Sequence, residues 1–140
     1  MNEVEIYNNL NNSLIAGGLY FIGWAFLVWT AGRAVTIALE NNAGIITKIV
    51  TTIFGLTAVW QFNNVLSFVP WNFAGAGHSL AVLKESGVDL SARSESFLEI
   101  TGSSASEVPQ LSIIPSDPFV LLFILSALYL VVARLWIGNK

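Results

Sequence analysis

Residues 118–137 read PFVLLFILSALYLVVARLWI, with thirteen Leu, Ile, Val or Phe side chains and a single charge, Arg134, close to the end. A bilayer core about 30 Å thick is crossed by about 20 helical residues rising 1.5 Å each, and this stretch matches that length. Its thirteen large apolar side chains together favour insertion by roughly 6 kcal/mol. Ser116 or Asp117 can accept from the orphan amides of the first turn, and Pro118 suits the first helical position, where its missing N–H costs nothing. The segment reads as a membrane-spanning helix with a sharp start.

Two further stretches meet the same length test. Residues 14–32, LIAGGLYFIGWAFLVWTAG, form the first, with room for the helix to continue through Arg33 towards Asn41-Asn42. Residues 45–68 form the second, with Lys48 near one end and Pro70-Trp71 just beyond the other. The second is weaker. The ten Leu, Ile, Val or Phe residues between Ile49 and Phe68 favour insertion by roughly 4–5 kcal/mol, but Thr51, Thr52, Thr57, Gln61, Asn63, Asn64 and Ser67 oppose them. Each amide left unpaired costs about 1–3 kcal/mol, so this helix needs neighbours.

Composition agrees with a lipid solvent. The chain is 54% hydrophobic and only 11% charged, against the quarter or so charged that is usual in soluble domains. The expected fold is all-α: one integral membrane domain over residues 1–140, three spans, and a long outer connection at 71–116. Orientation follows from the Lys and Arg residues: Arg33 and Lys48 flank the first connection, Arg134 and Lys140 end the chain, and none precedes the first span. These place the N-terminus and the long connection outside and the C-terminus inside, most simply in a plasma (inner) membrane. Trp29 and Trp136 near the inner face and Trp71 near the outer fit interfacial positions.

The connection is too long for a mere linker. Helical spacing puts Leu80 and Leu83 on one side of a short helix at 79–85. It puts Leu90, Phe97 and Ile100 on one side of a second at 89–100, after an Asp89 cap. These five apolar residues are candidates for docking on a neighbour. From Gly102 to Pro115 the chain turns to Ser, Pro and small residues, which reads as extended.

Two patterns lie within the spans. Gly18, Ala25 and Gly32 recur every seven residues, a small-residue face that lets helix backbones approach in lipid, where packing and hydrogen bonds hold helices together. Thr57, Gln61, Asn64 and Ser67 follow spacings of four, three and three, a polar stripe that must bond a neighbouring helix or line a wet path.

Several function classes fall away. A net charge of −3 without a basic patch argues against nucleic-acid binding. The chain has no cysteine and one histidine, His78, which with scattered carboxylates makes a poor metal site. No nucleophile–base–acid pattern, paired buried carboxylates or phosphate loop is present, so no catalytic, cofactor or metal residues are expected. No charge sits in the middle of a span, as a proton pump would require. The expected function is a non-catalytic subunit whose partners are other membrane proteins or further copies of itself, in contact with lipid. The alternatives are a pore former that resembles phage holins in general plan alone, and a small transporter or cofactor-anchoring subunit.

Overall fold

The computed structural model describes residues 2–137. Lys140, used above for orientation, and Gly138-Asn139 lie outside the described residues. All regular structure among the described residues is helical: α1 at Glu3–Glu40, α2 at Ile45–Glu85, α3 at Ala92–Thr101 and α4 at Pro118–Ile137. Helices α1, α2 and α4 are each long and apolar enough to cross a membrane. With 38 and 41 residues, α1 and α2 have about twice the length a bilayer core needs.

The boundaries have local causes. At the end of α1, Asn42 takes a left-handed conformation (φ 50°). The amide of Ala43 reaches the carbonyl of Ala38 at 2.9 Å, and that of Asn42 reaches Leu39 at 3.2 Å. This double bond pattern closes a helix at a left-handed residue, and Ala43 adds its usual apolar contact by packing on Val35, Ala38 and Leu135. Helix α4 begins as its sequence dictates, with Asp117 accepting from the Phe119 amide at 2.8 Å and Pro118 in the first turn.

Two expectations need correction. The second span was expected to stop before Pro70, yet α2 runs through it to Glu85. A proline removes one backbone bond without ending a helix that neighbours hold in place. Here Asn72 Nδ2 donates to the Phe68 carbonyl at 2.8 Å, and Ala76 and Leu80, one turn apart, are buried against Ile6 and Leu10. Leu80 and Leu83 therefore belong to α2, and the part of 71–116 outside that helix begins at Ser86. Helix α3 also starts later than expected: its cap is Ser91, not Asp89, and Gly102 (φ 61°) ends it. With that start, Ser94, Phe97, Leu98 and Thr101 share the inner face. Ile100 falls off it, 85% exposed, and packs on nothing in this chain's core.

By their contacts the described residues form two units. One comprises residues 2–18 and 67–112. Its core is Ile6, Leu10, Ala76 and Leu80, with Tyr7, Leu14, Leu83, Leu90, Phe97 and Leu98 packed around them. The other comprises residues 19–66 and 113–137. Its core draws Ala31 from α1, Ala58, Val59 and Phe62 from α2, and Ile124, Ala127 and Val131 from α4. Alanines at three of the seven positions bring helices close, as lipid-embedded packing requires. Large apolar side chains such as Leu19 (69% exposed) and Phe119 (79%) point outward, the arrangement expected where the solvent is hydrocarbon.

Candidate functional site

In the second unit, α2 and α4 do not close on each other along their whole length. They approach closely at Gly55: a Cβ there would lie 3.0 Å from the Val131 carbonyl oxygen and 3.2 Å from its Cβ. Val131 sits in a π-helical turn of α4, Tyr129–Ala133, a local widening often found at functional positions. One turn beyond, Trp136 Nε1 donates to Thr52 Oγ1 at 2.9 Å.

Away from that contact the helices part, and a groove of about 630 Å³ opens between them and residues 113–115. Its walls are apolar: Leu56, Val59, Trp60, Ile113, Leu121 and Leu125 among them. Besides the indole N–H of Trp60, the lining carries polar side-chain groups at Thr57 and Asn63. Asn63, 6% exposed, donates from Nδ2 to the Ile113 carbonyl at 2.8 Å. A carbonyl can only accept, so this bond fixes the amide's orientation and makes Oδ1 the other edge. Oδ1 is buried without a partner among the described residues. The Thr57 hydroxyl is exposed in the groove and makes no hydrogen bond among the described residues.

The expected polar stripe is thus divided. Gln61 and Asn64 bond each other along α2, Asn64 Nδ2 to Gln61 Oε1 at 3.1 Å. Thr57 faces the groove, and Ser67, in the first unit, is buried with its hydroxyl unpartnered. The buried amide of this helix is Asn63, which the spacing argument passed over for its neighbour Asn64. Of the small-residue face, Ala25 packs on the second unit's core. A Cβ at Gly18 or Gly32 would meet nothing within 4 Å. Those two glycines therefore meet no other element closely among the described residues.

The first unit is tied by polar contacts that join distant parts of the sequence. Glu3 accepts from the Ser91 hydroxyl at 2.6 Å, the Ser91 amide at 2.9 Å and the Ser94 hydroxyl at 2.5 Å. Because Ser94 Oγ donates to Glu3, the Tyr7 hydroxyl at 3.1 Å donates to Ser94, which is fully buried. The Arg93 guanidinium lies 5.3 Å from the centre of the Tyr7 ring. His78 Nδ1 is 2.9 Å from the Ser104 carbonyl, so it donates and is used structurally. No group of three metal-ligating side chains forms among the described residues. Of the expected docking residues, Leu80, Leu83, Leu90 and Phe97 are used in this unit's own packing.

Hydrogen bonds from the Ser91 hydroxyl, and then from Ser94 and the Ser91 amide, hold the Glu3 carboxyl below its ordinary 4.5. A depressed folded-state pKa gives stability that is present above the ordinary value and is lost as pH falls through the folded one. The protection factors of the α3 amides, with intrinsic exchange divided out, should therefore be high at pH 7 and fall below pH about 4.5. Glu3→Gln should exchange faster at pH 7 with no such acid step. An acid step unchanged in Glu3→Gln would assign it to another group.

No family model, curated protein or solved structure matches this chain.

Proposed function

We propose that this chain is a non-catalytic subunit of a larger membrane assembly, with a transmembrane segment of a partner, or of a second copy, seated in the groove between α2 and α4. The observation that carries the reading is the unmet Thr57 hydroxyl, exposed in walls that are otherwise largely apolar. Hydrocarbon cannot satisfy it, whereas a neighbouring helix with a hydroxyl or amide can. The open surfaces over Gly18 and Gly32 support the same reading, since small residues admit close helix approach.

The experiment is extraction from native membranes in mild detergent, followed by the mass and composition of what co-migrates. The chain should run in a stoichiometric complex or a defined self-oligomer. Interhelical hydrogen bonds in lipid average about 0.6 kcal/mol and reach about 1.7, so Thr57→Val should weaken assembly by roughly three- to eighteen-fold. It leaves the Asn63–Ile113 bond in place. A lone monomer in the wild type, or undiminished assembly in Thr57→Val, would remove the reading.

The orientation belongs to the same proposal. Arg33, Lys48 and Arg134 support an inner position for the α1–α2 turn and the end of α4, and an outer position for α3. The chain has no cysteine of its own, so Ser96→Cys and Glu40→Cys, both at exposed sites, can be labelled singly. An impermeant thiol reagent should mark Ser96→Cys in intact cells and spare Glu40→Cys; the opposite pattern reverses the topology.

A further inference from the structure

A second groove of the 19–66 and 113–137 unit, of about 410 Å³, runs between α1 and α4 and carries a different chemistry. Both of that unit's arginines, Arg33 and Arg134, line it. Neither forms an ion pair among the described residues, and the carboxylate of Glu40, two turns further along α1, reaches neither. The other polar side chains of the lining are already committed: the Thr36 hydroxyl donates to the Gly32 carbonyl at 3.2 Å and the Ser126 hydroxyl to Leu122 at 2.8 Å. The rest of the lining is apolar, including Val28, Phe123 and Leu130. Gly32 leaves space in the wall, because a Cβ there would meet nothing within 4 Å.

Two guanidiniums without carboxylates, at one end of an apolar groove, match the two ends of one kind of molecule. We propose that this groove binds an anionic phospholipid, with its phosphate between Arg33 and Arg134 and an acyl chain laid past Gly32. Guanidinium donors take phosphate oxygens in a fixed fork, which makes arginine the better residue for this contact. Basic pockets between membrane helices on the cytoplasmic side select acidic headgroups for the same reason. The proposal rests on reading α1 and α4 as membrane spans, and it does not depend on any partner protein.

The test uses the full chain in nanodiscs of phosphatidylcholine containing a minor fraction of phosphatidylglycerol with the same acyl chains, with retained lipid counted by native mass spectrometry. Phosphatidylglycerol should be retained roughly 25-fold over its share of the mixture. One arginine near a charged lipid surface is worth about a fivefold change in binding, so Arg33→Gln and Arg134→Gln should each lower the preference about fivefold and the double variant should abolish it. Gly32→Leu should lower retention of the lipid with both arginines in place, and inorganic phosphate at equal concentration should not displace it. Equal retention of the two lipids, an unchanged preference in the double variant, or displacement by phosphate alone would each overturn the lipid assignment. Failure to enter phosphatidylcholine nanodiscs would overturn the membrane reading along with it, whereas entry without headgroup preference overturns the lipid site alone.

Discussion

Gly55→Leu is expected to drive α4 away from α2 and lower the thermal midpoint of the chain in mild detergent by about 5–10 °C. The position allows almost no added volume. Its Cβ would lie 3.0 Å from a carbonyl oxygen and 3.2 Å from both Cβ and Cγ2 of Val131. A carbonyl cannot rotate aside as a side-chain end can, so leucine's remaining carbons must separate the helices or tilt one of them. Overpacking of this kind costs typically 1–3 kcal/mol, a shift of several degrees for a domain of this size. The core residues Ala58, Val59, Ile124 and Ala127 pack alongside Val131 and would part with it. Gly55→Ala should lower the midpoint less than Gly55→Leu, since its methyl meets the same carbonyl at 3.0 Å but gains up to about 1 kcal/mol of helix propensity and adds no further carbons. Circular dichroism melts of the two variants decide the matter. Equal midpoints would mean that the approach of α2 to α4 at this point is not tight.

Gly77→Leu should act in the 2–18 and 67–112 unit, by releasing residues 102–112 from α2. A Cβ at Gly77 would fall onto the Ser103 hydroxyl, 2.8 Å from Ser103 Cβ and 2.7 Å from Thr101 Oγ1. Thr101 Oγ1 is held by its bond to the Phe97 carbonyl at 2.9 Å, and Ser103 Cβ moves only with its backbone. Two bonds that tie this segment to α2 should go with it: His78 Nδ1 to the Ser104 carbonyl, and Trp71 Nε1 to the Pro109 carbonyl at 3.2 Å. Limited proteolysis between 102 and 112 should become at least about tenfold faster, which corresponds to losing about 1.4 kcal/mol of local stability. Gly75→Leu is the control, because that glycine has nothing within 4 Å of its Cβ position and should leave the rate unchanged. Equal cleavage in both variants would show that the segment is held by other contacts.

What could be read from the sequence was what depends on near neighbours. The apolar runs gave three helices of spanning length, and Asp117 with Pro118 marked the start of α4, because both signals act within a single turn. The loss of Pro70 as a boundary has a physical cause: α2 continues where Ala76 and Leu80 bury against Ile6 and Leu10, more than sixty positions earlier. Glycine spacing picked out Gly18 and Gly32 on periodicity, yet the glycines that meet other elements closely are Gly55 and Gly77. Periodicity records which residues share a face and is silent about what that face meets. The same limit hid Asn63, whose partner Ile113 is fifty positions away. It hid Glu3 as well, which is held by Ser91 and Ser94 from the other end of its unit. For these residues the sequence offered only weak signals: the doubled Asn63-Asn64 in an apolar run, and one of two acidic residues in the first turn of α1.

The proposed subunit role turns on what occupies the groove between α2 and α4. The most direct measurement places a photo-crosslinking residue at Leu125, in the groove lining, and separately at Leu122, which is exposed on α4 outside both grooves. Each variant is irradiated in native membranes, and the adducts are separated by mass. The subunit reading predicts a discrete protein adduct from position 125, diminished by Thr57→Val, and lipid adducts alone from position 122. Lipid adducts alone from both positions would contradict it.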